Sequence, residues 1–373
     1  MNLNIIVTVN FGLESVVKRE LYDLGYGDLT VQDGRIKFNG DLRDVAILNL
    51  RLRCAERVLI EIGNFKALSF EELFDNINAI DWEEWISEDG NFIINSKSYK
   101  SKLFSLSDIQ RISEKAIIKS LQRTYKRNRF EKSAERYSIE VAIRNDIVSV
   151  TLDTSGEGLH KRGYREASYK APITETLAAA MVQLSYWKPE RLLVDPFCGS
   201  GTILIEAAMM AKKIAPGLMR KFDFEKFIFI DESLLKEEKA RCYSEIDYDK
   251  KLNIIGSDIS RKAIEIAKSN AEILGLEEDI TFFVKDVRDL DLPDNYGVII
   301  TNPPYGIRIG VDEVEELEIA LKVLYKSVPT YSMYVISADE KLEKNLGKSN
   351  KNRKLYNGRL LSYLYQYFGP KPL

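Results

Sequence analysis

The chain has one histidine, His160, in 373 residues. Chemistries that need paired histidines, as metal ligands or as a base with its orienting partner, are thereby nearly excluded. Its three cysteines, Cys54, Cys198 and Cys242, are odd in number and far apart. Neither a disulfide framework nor a zinc site is indicated, and no metal is expected. No apolar run approaches membrane-span length, and the opening MNLNIIVTVNFGLE lacks the charged leader and long apolar stretch of a signal peptide. A cytoplasmic protein with no membrane partner is expected. Repeats and low-complexity tracts are missing as well.

What remains is an ordinary globular composition, 45% hydrophobic and 30% charged, with a net charge of -3. The length suggests two or three domains. Charge is unevenly spread: residues 100 to 170 hold sixteen Lys and Arg against nine Asp and Glu. Within that stretch a helix capped by Ser107 and running to about Tyr125 exposes Lys119 and Arg123, followed by Lys126 and Arg127. Farther on, Lys161, Arg162, Tyr164 and Arg165 alternate cations with aromatics, a composition suited to phosphate contact and base stacking. His160 reads as a surface or RNA-facing residue.

Hydrophobic periodicity divides the chain. Residues 3–9, 34–38, 57–65, 91–98, 137–144 and 147–152 read as strands interleaved with helices at 12–24, 41–54 and 70–80, an α+β region. Asn145-Asp146 is a plausible hairpin turn. From Pro172 onward helices and strands alternate, as in a doubly wound parallel sheet. Residues 214–251 exceed what a crossover needs and read as an inserted helical excursion that could serve as a lid.

Two stretches carry the chemistry. In RLLVDPFCGSGTILIEAAMMA the apolar run Leu192 to Val194 suits a strand buried on both faces, Asp195-Pro196 ends it, and Gly199 and Gly201 permit a tight turn before a helix from Thr202. This is a strand, glycine loop and helix without a P-loop lysine or the third glycine of a dinucleotide fingerprint. In VIITNPPYGIRIG a second apolar strand ends in Asn302-Pro303-Pro304-Tyr305, a rigid polar and aromatic tip. Adjacent strands in one parallel sheet would bring this tip and the glycine loop to one crevice, where Asp258 and Asp286 stand at two further strand ends.

DPFCGSGT, GSDIS, KDV and NPPYG, in this order, resemble the motifs of class I S-adenosylmethionine-dependent methyltransferases, with NPPY similar to the version that methylates an exocyclic or amide nitrogen. APITETLAAA, residues 171–180, is similar to that fold's opening motif. LHKRGYR and the α+β region resemble the bacterial THUMP-domain RNA methyltransferases of the RlmL and YpsC type, which make N2-methylguanosine in large-subunit ribosomal RNA. The resemblance implies a ferredoxin-like part at 1–42, a THUMP-like domain at 43–154, a basic linker at 155–170 and a class I methyltransferase domain at 171–373.

It further implies S-adenosyl-L-methionine as cofactor, held by Thr174, Asp195, Phe197, Gly199, Gly201, Thr202, Asp258, Ile259, Asp286, Val287 and Asn302. Asn302 and the Pro303 carbonyl would accept the hydrogens of the target amino group, Pro304 would stiffen the tip, and Tyr305 would stack on a flipped guanine. Lys119, Arg123, Lys126, Arg127, Lys161, Arg162, Tyr164 and Arg165 would meet RNA, with large-subunit ribosomal RNA the expected partner. Cys198 lies in the cofactor loop and reads as a packing residue. Other readings are methylation of transfer-RNA guanosine, adenine N6 or protein glutamine, or an inactive RNA-binding assembly factor; an NAD enzyme is disfavoured by the missing glycine. One departure stands out: the 57 residues from Gly201 to Asp258 far exceed the ~20 of a plain nucleotide-binding unit, so Asp258 reaches the second strand only if the intervening stretch is an insertion.

Overall fold

The computed structural model describes residues 2–127, 130, 133–165, 173–304, 311–339, 341–358 and 360–371. The first half runs β1 (Leu3–Val9), α1 (Glu14–Asp23), β2 (Thr30–Gln32), β3 (Arg35–Gly40), α2 (Leu42–Arg51), β4 (Ala55–Lys66), α3 (Phe70–Asn78), β5 (Asn91–Tyr99), α4 (Leu106–Tyr125), β6 (Arg136–Arg144) and β7 (Ile147–Asp153). These strands form one seven-stranded sheet in the order β2-β3-β1-β4-β7-β6-β5. Strand β4 makes it continuous, pairing with β1 through residues 55–61 and with β7 through residues 59–66. Local chemistry explains the boundaries. Asp41 accepts from the backbone of Arg43 and Asp44 while Asp44 Oδ2 accepts from Asp41, a capping box that starts α2. Asn145 and Asp146 both adopt positive φ, 52° and 65°, and close the β6-β7 hairpin. Helix α4 begins one turn position earlier than its periodicity suggests, so Ser105 stands at the N-cap in place of Ser107.

The second half runs α5 (Glu175–Ser185), β8 (Leu193–Asp195), α6 (Thr202–Ala211), α7 (Glu232–Ser244), β9 (Ile254–Asp258), α8 (Arg261–Glu272), β10 (Ile280–Val284), β11 (Val298–Thr301), α9 (Val311–Ser327), β12 (Ser332–Ser337), α10 (Leu342–Leu346), β13 (Lys351–Asn357) and β14 (Leu360–Tyr367). The sheet order is β10-β9-β8-β11-β12-β14-β13. Strands β10, β9, β8, β11 and β12 are parallel, and β14 is antiparallel to β12. This is a doubly wound α/β sheet. Strand β13 has only Leu355 buried, and its polar sequence KNRKLYN hides it from a hydrophobicity reading.

The excursion at 214–251 is not a lid over the strand-end crevice. It runs back across the first half. Gly217 N–H donates to Leu50 O at 2.9 Å, and a Cβ on Gly217 would stand 2.7 Å from Asn49 O and Leu50 Cα, so only glycine fits there. Phe227 stacks on Tyr137 with ring centroids 4.8 Å apart, and Phe229 meets Trp85 at 5.0 Å. Helix α7 then lies on α2, where Arg51 Nε donates to Glu238 Oε1 at 2.6 Å. One hydrophobic core therefore extends from the first sheet through the excursion to one face of the second sheet, and a smaller core fills the opposite face.

Candidate active site

Strands β8 and β11 are direct parallel neighbours, with Leu193 opposite Val298 and Val194 opposite Ile299. Asp195 and the Thr301-Asn302 step consequently leave the sheet side by side. Thr301 Oγ1 donates to Asp195 Oδ1 at 2.6 Å and Phe197 N–H donates to the same oxygen at 3.1 Å. Burial raises the Asp195 carboxyl to about 7, against those two donors, and the nearby Asp258 adds to the rise. Asp258 ends β9, the strand beside β8 on its other side. Its Oδ2 accepts from Gly199 N–H at 3.1 Å and its Oδ1 from Ser260 N–H at 2.9 Å, so the glycine loop is fastened to the neighbouring strand end.

These strand ends surround a cavity of about 270 Å³. Asp195, Phe197, Gly199, Thr202, Asp258, Ile259, Asp286, Val287, Asn302 and Pro304 all line it. Gly199 adopts φ +53° with no atom within 4 Å of where a Cβ would stand, leaving its backbone open to a ligand. Ile259, on the same lining, is 67% exposed and presents an apolar side chain at a polar loop. Asp286 caps the turn after β10 and is held by Arg288, whose Nε and Nη2 donate at 2.9 and 2.7 Å; those hydrogen bonds keep its carboxyl low. Cys198 also lines the cavity, but burial pushes its thiol well above the ordinary value, which disfavours the thiolate a nucleophile requires. Asn302 is half-buried, and its Oδ1 is a buried acceptor with no hydrogen-bond partner among the described residues.

Two residues expected around the cofactor, Gly201 and Thr174, and one expected at the reacting tip, Pro303, do not line this cavity. Gly201 has its absent side chain directed at Phe282 and Ala267, 2.9 and 3.1 Å from the Cβ position, so it is a packing glycine at the start of α6 with φ +79°. Thr174 lines a separate cavity, described below. Pro303 is buried behind the tip. Tyr305 lies outside the described residues. Ile173, Ser200 and Ser260, which lie within the quoted motifs but were not singled out, and Glu313 and Leu317, which lie outside them, also line the cavity. Among the described residues no cluster of His, Cys, Asp and Glu is placed to hold a metal, and no helix is long and apolar enough to cross a membrane.

The residues expected to meet RNA divide sharply. Arg162 and Tyr164 are buried, at 2% and 0% exposure, and cannot present themselves to a nucleic acid. Both face Glu206, a fully buried acid on α6: Arg162 Nε donates to it at 3.2 Å and the Tyr164 hydroxyl at 3.3 Å. Arg162 Nη2 donates to Arg53 O as well, joining the two halves of the chain. The signal for this was Glu206 itself, a lone charge in the apolar helix ILIEAAMMA, which needs a buried partner. Arg165 donates to Thr202 Oγ1 at 2.5 Å and to Ile173 O at 3.1 Å. Lys161, Lys119 and Lys126 are exposed. Arg123 is engaged with Asn78 O, and Arg127 with Glu88 and Asp89. His160 lies 3.6 Å from Glu56, away from the strand-end cavity.

Comparison with known proteins places this geometry. The model of the RMKL-like methyltransferase domain matches residues 162–363, that of the RlmL ferredoxin-like domain residues 4–59, and that of the THUMP domain residues 67–153. The Bacillus subtilis (strain 168) protein named "Putative RNA methyltransferase YpsC" is 42% identical over 98% of this chain and 95% of its own. A Listeria monocytogenes structure described as "a predicted N6-adenine-specific DNA methylase" superposes with a TM-score of 0.94 at 43% identity, covering 99% of this chain and 97% of that one. The chain named SMU.472, solved complexed with SAH, superposes with a TM-score of 0.94 at 39% identity, covering 100% and 99%. Strand order, glycine loop and Asn-Pro-Pro tip thus occur together in a chain that belongs to the RMKL-like methyltransferase family of the RlmL/YpsC type, with ferredoxin-like and THUMP domains ahead of the methyltransferase domain.

Proposed function

We propose that this chain transfers a methyl group from S-adenosylmethionine to N2 of a guanosine in large-subunit ribosomal RNA. The observation that carries the reading is Asn302 Oδ1, a buried acceptor on the cavity lining with no hydrogen-bond partner among the described residues. A buried oxygen left unpaired is costly, and an incoming amino group relieves that cost. The cavity suits the cofactor: Gly199 leaves the backbone open, Asp195 and Asp258 supply a buried and a half-buried carboxylate on one side, and Ile259 offers an exposed apolar face.

When bound, the cofactor supplies an activated sulfonium methyl, so the chain has to position the acceptor more than activate it. A guanine amino group is a poor nucleophile because its lone pair is delocalised into the ring. Asn302 Oδ1 and the Pro303 carbonyl, accepting its two hydrogens, favour rehybridisation as positive charge develops on nitrogen. Pro303 and Pro304 fix the direction of both acceptors. The target base must leave its stack to reach a strand-end cavity. RNA as substrate is supported by the name of the YpsC relative and by the exposed cations Lys119, Lys126 and Lys161, which make no ion pair among the described residues.

The test is incubation with labelled S-adenosylmethionine and, in parallel, unmodified large-subunit ribosomal RNA, transfer RNA and DNA, followed by nucleoside mass spectrometry. N2-methylguanosine in ribosomal RNA alone is the expected product. N6-methyladenine, the product implied by the description of the Listeria relative, would overturn the guanosine assignment while leaving Asn302 its role.

A further inference from the structure

A second cavity, about 890 Å³, opens beside the first, where residues 157–165, the start of α5 and excursion residues 219–226 meet Arg136 of β6. The two cavities share a wall. Ile173 faces the first and Thr174 the second, while Arg165 lines the second and donates to Thr202 of the first. Seven of the second cavity's lining side chains are Lys or Arg and three are Asp or Glu. Arg162 is matched by Glu206, and Arg165 has Glu175 at 3.4 Å.

Arg220 has no such match. It is 7% exposed, and its Nη1 and Nη2 donate to four backbone carbonyls, those of Ser155, Glu157, Gly158 and Lys161. Its Nε is buried without a hydrogen-bond partner, and among the described residues no carboxylate pairs with it. Burial lowers its pKa to about 10, so the guanidinium remains charged at neutral pH. Glu157 and Asp153 favour its charge without pairing with it, so the guanidinium adds fixed positive potential to the cavity lining. Lys161, Lys221 and Lys226 stand exposed on the same lining, with no ion pair among the described residues.

We propose that this cavity is a phosphate subsite for the substrate strand, in which the three exposed lysines, backed by the buried charge of Arg220, hold a backbone phosphodiester of the RNA whose target nucleoside enters the adjoining crevice. The proposal rests on the RNA-methyltransferase reading and adds to it where the strand is gripped. Phosphate contacts of this kind set register and supply most of the salt-dependent affinity. The excursion at 214–251 thereby acquires a role: it supplies Arg220, Lys221 and Lys226 to a wall that neither sheet builds alone.

The test uses the full chain and a short fluorescein-labelled single-stranded RNA of mixed sequence, titrated by anisotropy across a salt series. The Lys161→Ala/Lys221→Ala/Lys226→Ala triple variant is expected to bind about tenfold more weakly, with the slope of log Kd against log salt shallower by about 2. A charge-matched triple at exposed lysines elsewhere, Lys188→Ala/Lys262→Ala/Lys268→Ala, is expected to stay within about twofold of the parent. Calorimetric titration with SAH checks that every variant keeps its crevice. Equal weakening by both triples, or none by the first, would overturn the subsite while leaving the RNA reading intact. A parent chain that binds SAH but not RNA at low salt would overturn the RNA reading itself. Inorganic phosphate at constant ionic strength should displace RNA from the parent; phosphate binding that leaves RNA in place would assign the cavity to a free anion instead.

Discussion

Thr301 Oγ1 donates a 2.6 Å hydrogen bond to Asp195 Oδ1, and this contact joins the last residue of β11 to the last residue of β8. Asp195 opens the glycine loop and Thr301 precedes Asn302, so the bond links the loop that lines the strand-end cavity to the tip that carries the Asn302 acceptor. Both partners are buried, which shields the bond from competing water and makes the spacing between loop and tip a property of the sheet.

Removing the unpaired acceptor should cost rate more than stability. For Asn302→Ala, methyl transfer is expected to fall ~10²–10³-fold, the usual effect of deleting one preorganised group at a reacting centre. Because Asn302 Oδ1 makes no hydrogen bond among the described residues, Tm should hold. Single-turnover transfer measured beside a thermal melt checks this, and a large drop in Tm with unchanged transfer would refute it.

Asp195 makes the stability of the ligand-free protein depend on pH. Its folded-state pKa of about 7 lies above the ordinary 3.8 because burial disfavours the charge. The stabilising contribution is therefore complete below about pH 4 and is lost as pH rises through about 7. Asp195→Asn should flatten that decline, and Thr301→Val, which removes a donor to the ionised form, should move it to higher pH. Melts of the three proteins across this range, without cofactor, decide the matter; identical slopes in parent and Asp195→Asn would rule it out.

Arg162 and Glu206 are expected to behave as a unit. Truncating Arg162 to Ala strands a fully buried carboxylate and should destabilise by ~3–5 kcal/mol, whereas replacing both residues by Met should recover most of that loss. Urea unfolding of the single and double variants tests the pair. A double variant no better than Arg162→Ala would show that the contacts of Arg162 to backbone carbonyls matter more than the ion pair.

The excursion's docking should also be measurable. Phe227 is 2% exposed and stacks on Tyr137, so Phe227→Ala is expected to cost ~3–5 kcal/mol. Limited proteolysis should then cut within residues 214–251 sooner than in the parent, and unchanged cleavage with unchanged stability would contradict the packing described.

The catalytic half was largely readable because its signals are local. An apolar run stopped by Asp195-Pro196, or by Asn302-Pro303-Pro304, marks a buried parallel strand and its loop in a few residues, and alternation supplied the doubly wound sheet. Arg162 and Tyr164 escape a local reading for the opposite reason. HKRGYR has the composition of a nucleic-acid contact, yet Arg162 and Tyr164 turn inward to meet Glu206, more than forty residues later. Charge and aromaticity identify what a side chain can bind; they do not say on which side of the surface it lies.

The sequence by itself determined the strand-and-loop motifs, the helix boundaries set by caps and hairpin turns, and the chemistry open to a chain with one histidine and no metal cluster spacing, since each depends on residues close together along the backbone. Only the tertiary structure decided that β4 fuses the ferredoxin-like and THUMP regions into one sheet, that residues 214–251 strap the two halves together, that Gly201 packs on Phe282, and that Arg220 is buried among backbone carbonyls with no ion pair among the described residues. Those features arise from pairings between distant segments, whose partners are selected by packing and by the need to satisfy buried polar groups, and no local pattern encodes them.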